Sequence, residues 1–374
     1  MARFDVVFEG GGAKGVAFAG ALEVLAARGH ELGRVVGASA GAIAATLSAA
    51  GYTPAELVAA STERENGKHR FARFLDLPAA GDGLSRAVCD RTLTMSLLRK
   101  INVPFLPSRL EDALDRHIMD ALLRHRVYAR IFSFLEHGGF YAGREFVRWL
   151  EEKLAAKGIV KTDTLWDFAR KTRSDLSLIV SDTTDMEMLV LNHRTAPLVP
   201  VTQAVRMSMS IPLVWQEVVW KEEWGQYLGR PKTKNVMVDG GMLSNFPIRL
   251  IAERDEFVET VMGDAGAGDA ACLGLLIDET LPVAGAENTA RTPLTFSSLE
   301  PVRRVGRLLD TLTGAWDNHW IRRHARVICR LPAKGYGTLE FDMPAERLEK
   351  LLEAARQAAA AHLAGRAQAG ESGI

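Results

Sequence analysis

Ser39 stands in Gly37-Ala38-Ser39-Ala40-Gly41, between the short apolar run Arg34-Val35-Val36 and the alanine-rich stretch from Ala40 to Ala50. A G-x-S-x-G turn between a strand and a helix lifts the serine hydroxyl above a sheet, where it can act as a nucleophile. Glycines two residues to either side let the chain double back without collision. The helix that follows aims its free amides and the positive end of its dipole at the same place, favouring negative charge that develops there. The implied chemistry is acyl transfer through a covalent serine intermediate. A tight turn with an incidental serine would read identically from five residues, so the case rests on partners.

The first partner is Gly10-Gly11-Gly12-Ala13-Lys14-Gly15, which closes the run Phe4 to Phe8 and opens a helix. It fits G-x-G-x-x-G, yet a dinucleotide site needs an acidic residue at the end of the second strand. Gly37-Ala38-Ser39 occupies that place. A P-loop is excluded because no Gly-Lys-Ser/Thr occurs. The remaining reading is an oxyanion hole, in which consecutive glycines bare backbone N–H groups. Lys14 either steadies this loop or attracts a phosphate headgroup.

The second partner must take the serine proton. Asp239, in Val238-Asp239-Gly240-Gly241, ends an apolar strand, and the glycines after it permit close approach. A turn aspartate is the ordinary alternative. His193 follows a strand and would instead make a triad. His117, His125, His137, His319 and His324 fall in charged helical stretches, where solvated histidines are the common outcome.

These groups need a scaffold. The first sixty residues read strand, glycine turn, helix, strand, tight turn, helix, a βαβα start that predicts a parallel α/β sheet. Further strands are expected at Leu176 to Val180, Met186 to Leu191, Val236 to Val238 and Leu273 to Ile277. Tyr141 to Lys157 reads as a helix, and 264–271 and 282–291 as loops. The stretch 61–138 is charged, with Leu110, Leu114, Ile118 and Leu122 at helical spacing, and reads as a helical insertion or lid. Glu300 to Arg326 reads as a basic amphipathic helix whose stripe ends at Trp316 and Trp320. It either packs into the core or lies on an anionic membrane. The expected division is a catalytic domain over 1–280 and a mostly helical extension over 281–374 packed on it.

The 374 residues are 47% hydrophobic and 25% charged, as in an ordinary globular protein. Lys plus Arg and Asp plus Glu number 46 each, so no basic field exists for nucleic acid. Cys89, Cys272 and Cys329 form no C-x-x-C pair, which gives no ground for a zinc site or disulfide framework. Neither a signal peptide nor a ~20-residue apolar span is visible. The expectation is a cytoplasmic protein with no metal and no cofactor.

Taken in order, the glycine loop, the serine pentapeptide, Arg206-Met207-Ser208-Met209-Ser210-Ile211-Pro212 and Asp239-Gly240-Gly241-Met242-Leu243-Ser244-Asn245-Phe246-Pro247 resemble the patatin-like phospholipases. The likeness runs from about Phe4 to Pro247, with a looser one at Thr338-Leu339-Glu340-Phe341-Asp342. It implies a three-layer α/β/α fold, a mainly parallel sheet and a Ser39–Asp239 dyad without histidine. It also implies an oxyanion hole from the amides of Gly10, Gly11, Gly12 and Ala40. Lys14, Gly15, Gly37, Gly41, Gly240 and Gly241 support these motifs. The substrates it implies are phospholipids, lysophospholipids or neutral acylglycerols, with an acyltransferase or a lipid-binding module with a vestigial site as alternatives. Ala38 stands where acyl-carrier-protein transacylases usually carry His. Met207 replaces a residue usually small in the family and is expected to reshape the wall near the site. Oligomeric state is not legible.

Overall fold

A computed structural model describes residues 2–65, 68–76, 126–264, 270–286, 316–338, 340 and 343–370. Its central sheet has eight strands: β1 (Arg3–Phe8), β2 (Glu31–Ala38), β3 (Asp175–Asp182), β4 (Glu187–Leu191), β5 (Val218–Val219), β6 (Val236–Asp239), β7 (Ala271–Pro282) and β8 (Ile328–Lys334). The order is β8-β7-β1-β2-β3-β6-β5, with β4 also paired to β3. The first five strands of that order run parallel, whereas β4 and β6 are antiparallel to β3.

Parallel strands covered on both faces are apolar on both faces. Successive side chains point to opposite sides, and the core divides accordingly. Phe4, Val6, Phe8, Val35, Leu178, Val180 and Leu275 pack on one side, against α1 (Ala17–Ala27), α2 (Ala40–Ala49) and other helices. Val7, Val36, Ala38, Ile179 and Leu276 pack on the other, against Phe246, Ile248, Val258 and Met262. The result is the expected three-layer α/β/α arrangement around a mainly parallel sheet.

Two segments expected to be mostly helical also carry strands. Within 61–138, the described part is not wholly helical. It holds an antiparallel pairing of Arg64–Glu65 with Lys68–His69, a 3-10 turn at Arg70–Phe74 and a helix at Arg126–His137. The stripe from Leu110 to Leu122 lies outside the described residues. Beyond residue 280 the chain is not simply a helical extension, because β8 joins the central sheet beside β7. The helix Ala345–Gln368 then packs its Leu351, Leu352, Ala355 and Ala359 into the core with α1. The missed strand, Ile328-Cys329-Arg330-Leu331-Pro332, is interrupted by Arg330 and Pro332, so it shows no clean alternation; Pro is tolerated because β8 is an edge strand. Of the expected helix 300–326, the described part is helical over 316–323.

The turn between β3 and β4 is held by charge. Lys232, fully buried, donates to Asp182 at 2.8 Å, Asp185 at 2.5 Å and Glu187, while Asn235 donates to Asp182 and Asp185 at 2.8 Å each. These carboxylates are the one acidic cluster among the described residues close enough to share a cation, and the ammonium already serves as that cation. Removing one partner of a buried pair leaves uncompensated charge. Bonding to Lys232 holds the Asp185 carboxyl below its ordinary value, so its contribution exists above the unfolded pKa and fades as pH falls. Lys232→Met is therefore expected to lower Tm by several degrees at pH 7. The deficit should shrink toward pH 3, as checked by thermal melts across that range.

Candidate active site

The strand β3 sets the site. Along one edge it pairs first with β2, where Ala38 faces Ile179, and then with β6, where Asp239 faces Val180. The opposite edge is taken by β4 over Leu178 to Asp182, so β2 and β6 must share the first edge and approach each other end to end. Ser39 is the residue after β2, and Asp239 is the last of β6. Two residues 200 positions apart thus meet where one strand's partner ends and the next begins.

At that junction Ser39 takes φ 52° and ψ −124°, a strained backbone for a residue with a Cβ. Its amide donates to the buried Ser208 hydroxyl at 3.1 Å, and its carbonyl accepts from Ala42 at 3.0 Å as α2 begins. The flanking glycines are obligatory by contact. A Cβ on Gly37 would strike the Gly41 carbonyl, and one on Gly41 the Phe8 carbonyl. Gly240 likewise lies against the Ile179 carbonyl.

Asp239 is buried. Its Oδ1 accepts from the Gly241 amide at 2.7 Å, and its Oδ2 has no hydrogen bond of ordinary geometry. Burial pushes the carboxyl up to about 7, against the opposing pull of the Ser39 hydroxyl and the Gly241 amide. The Ser39 hydroxyl is thus close enough to act on the carboxylate, while Oδ2 completes no hydrogen bond of ordinary geometry. That suits a base whose proton donor closes in when substrate arrives.

In the glycine loop, the structure separates the four expected oxyanion donors. The Gly10 amide is already spent on the Asn245 carbonyl at 3.0 Å, which removes it from the set. Gly10 instead matters for space, since a Cβ there would collide with the Asn245 side chain and crowd the Ser39 Cβ. The amides of Gly11, Gly12 and Ala40 have no acceptor among the described residues. Gly15 sits beside Ala40, allowing the loop to lie against α2. Lys14 is buried, and its ammonium reaches Glu279 and, at 3.0 Å, the Thr338 hydroxyl. Of its two readings, the structure supports steadying the loop.

Ser39 and Ala40 open on a hollow that is partly open to solvent. Its wall is apolar and aromatic, with Ile43, Leu47, Phe71, Phe74, Trp149 and Trp215 prominent. Met209 and Ile211 line it, whereas Met207 is packed in the core and is not part of the wall. Sequence reasoning missed His69, which also lines this hollow with its Nε2 2.8 Å from Arg64. It also missed the role of Ser208, whose bond to the Ser39 amide spans 169 positions. His193 lies at the other end of the sheet. It follows β4 beyond the Leu191–Leu178 pair, next to Arg194, whose guanidinium is bonded to Asp175 at the start of β3. A triad through His193 is therefore excluded by position. Cys272 and Cys329 are both unpaired thiols, and burial pushes Cys329 up to about 12.

Comparison with known proteins agrees with this architecture. The model of the family "Patatin-like phospholipase" matches residues 6–252. The chain belongs to the patatin-like phospholipase family. It is 32% identical over 255 residues to protein YqhO of Bacillus subtilis (strain 168), covering 67% of each. It is 21% identical over 243 residues to the probable lipid hydrolase 463L of Invertebrate iridescent virus 6, covering 65% of this chain and 61% of that one. Among solved structures, VipD from Legionella pneumophila aligns over 98% of this chain and 67% of its own, with TM-score 0.45 and 16% identity. ExoU of Pseudomonas aeruginosa, in its complex with SpcU, aligns over 98% and 53%, with TM-score 0.42 and 17% identity.

A buried carboxyl raised to about 7 binds its proton more tightly folded than unfolded, so its ionisation costs stability as pH rises through that range. Asp239→Asn removes the charge while keeping an acceptor for Gly241. It is expected to raise Tm at pH 8, with a smaller gain at pH 5, as calorimetry at the two pH values would show.

Proposed function

We propose that this protein is a serine acyl-ester hydrolase that removes acyl chains from phospholipids or lysophospholipids. The observation that carries the reading is the meeting of Ser39 and Asp239 at the break along β3, with an apolar hollow opening directly on the serine. An acyl chain lies in that hollow and brings its ester carbonyl to Ser39. The Ser39 Oγ bonds to the carbonyl carbon and its proton passes to Oδ2 of Asp239, the oxygen with no other partner. The amides of Gly11, Gly12 and Ala40 hold the oxyanion. Collapse of the tetrahedral adduct breaks the ester bond, and the leaving alkoxide takes the proton from Asp239. Water then attacks acyl-Ser39, returns a proton through Asp239 and releases the fatty acid. No metal or cofactor enters these steps.

Lipid substrates reside in membranes, and the protein meets them by peripheral contact with an anionic surface from a cytoplasmic location. Among the described residues no helix is long and apolar enough to cross a membrane. Exposed Trp316, Met186 and Leu243 line a shallow apolar depression near Arg249, and His319, Arg322 and Arg323 lie on the same helix as Trp316. The relative 463L, described as a probable lipid hydrolase, supports the substrate class.

Incubation with labelled phospholipid and with p-nitrophenyl esters tests the reading. Turnover and labelling by a fluorophosphonate are expected, with both lost in Ser39→Ala. Asp239→Asn should lower kcat by roughly 10²–10⁴-fold, while His193→Ala leaves it unchanged. Because the base must be ionised, kcat/KM should rise with pH through an apparent pKa of about 7. Glu9 is another buried carboxyl at this sheet edge, and burial raises it to about 8. Glu9→Gln should therefore leave the acid limb in place. Turnover without a functional Ser39, or an acid limb that moves with Glu9, would overturn the assignment.

A further inference from the structure

The glycine loop and the Asp239 loop come from opposite ends of the family-matched segment, and their alignment must be kept within fractions of an ångström for proton transfer. Asn245 ties them. Its backbone carbonyl accepts from the Gly10 amide at 3.0 Å, and its Nδ2 donates back to the Gly10 carbonyl at 2.8 Å. The same side chain is wedged between Gly10 and Gly241, where a Cβ on either would meet Asn245 Oδ1. Only glycine on both sides admits the tie.

What holds Asn245 lies outside residues 6–252. Asp317, at the start of the described helix 316–323, is buried and directs its whole carboxylate to one loop. Oδ1 accepts from the Ser244 hydroxyl at 2.8 Å, and Oδ2 accepts from the amides of Asn245 at 2.7 Å and Phe246 at 2.8 Å. Among the described residues, no Lys or Arg pairs with it. A buried carboxylate is costly to keep unless donors satisfy it, and here all three donors belong to residues 244–246.

We infer that Asp317 is a positioning residue for catalysis, acting through the 244–246 loop and Asn245 to hold the Gly10–Gly12 amides in register with Ser39 and Asp239. It touches no reacting atom. The C-terminal segment thereby completes a site whose catalytic groups all lie upstream of it. This inference rests on the hydrolase reading, since it concerns the efficiency of that reaction.

The geometry distinguishes two substitutions. Asp317→Asn can keep its carbonyl oxygen on the two amides and turn its NH2 toward the Ser244 oxygen, which can accept. Asp317→Ala leaves all three donors without their acceptor. The experiment uses the full chain and a p-nitrophenyl ester, with rates normalised to Ser39 titrated by fluorophosphonate, so that loss of folded protein does not count as loss of catalysis. Asp317→Ala is expected to lower kcat per titrated site by about tenfold or more, with KM within about twofold, and Asp317→Asn to recover most of it. Asn245→Ala should show a similar loss, and the double variant should be little worse than the worse single one, because both act on one link. If Asp317→Ala does not fold, Asn245→Ala and Asp317→Asn carry the test. An unchanged kcat per site in Asp317→Ala, or in Asn245→Ala where the former does not fold, would overturn the inference, as would losses that simply multiply. Full turnover by Ser39→Ala would instead strike the hydrolase reading and be recognised as such.

Discussion

Everything in the site depends on how one strand edge is shared. The strand β3 offers a single row of backbone groups to two partners in succession, β2 and then antiparallel β6. Where the row changes hands, both partner chains must leave the sheet at once. A chain leaving a sheet abruptly has either strain or glycine at the turn, and this junction has both: Ser39 at positive φ between Gly37 and Gly41, and Asp239 followed by Gly240-Gly241. Proximity of the two side chains is thus a consequence of sheet pairing. It needs no flexible loop to bring them together.

The same arrangement accounts for the costs the fold carries. Ser39 sits in a conformation worth of order 1–3 kcal/mol of strain, and Asp239 is ionisable yet shut away from water. Neither is tolerable in isolation. The Ser208 hydroxyl fixes the Ser39 amide, α2 begins directly from the Ser39 carbonyl, and the Gly241 amide meets one oxygen of Asp239. The other oxygen is left without a hydrogen bond. In the proposed mechanism that is the useful defect, since a base that was fully satisfied would have no reason to take a proton.

Sequence alone carried the strands, the serine turn and Asp239 because each leaves a local signature: apolar runs closed by glycine, and glycines at fixed offsets. It chose wrongly at Gly10 for a physical reason. Three adjacent glycines, Gly10 to Gly12, carry equivalent amides in the sequence, and nothing local tells which amide a distant loop will consume. Asn245 supplies the answer from 235 positions away. The hollow's wall was illegible for the same reason, since Phe71, Phe74, Trp149 and Trp215 come from three separate segments with no shared spacing. The strand at Ile328–Lys334 was missed because an edge position permits the very Pro and Arg that hide it.

Lys14 shows how far this dependence on distant chain extends. A lysine on a glycine loop beside Ser39 suggests a headgroup ligand, but the ammonium is buried against Glu279 near the end of β7 and Thr338 beyond β8. The Thr338 carbonyl also accepts from the Ala13 amide at 2.8 Å. It lies where a Cβ on Gly12 would stand, which explains why that position, at φ 57°, has to be glycine. The loop that offers Gly11 and Gly12 is therefore shaped from outside by residues after 270, as the 244–246 loop is shaped by Asp317. The motif residues come from the first 250 positions, but the two loops that face each other are each braced by the last hundred. A chain cut after the final motif would keep every motif residue and lose both braces.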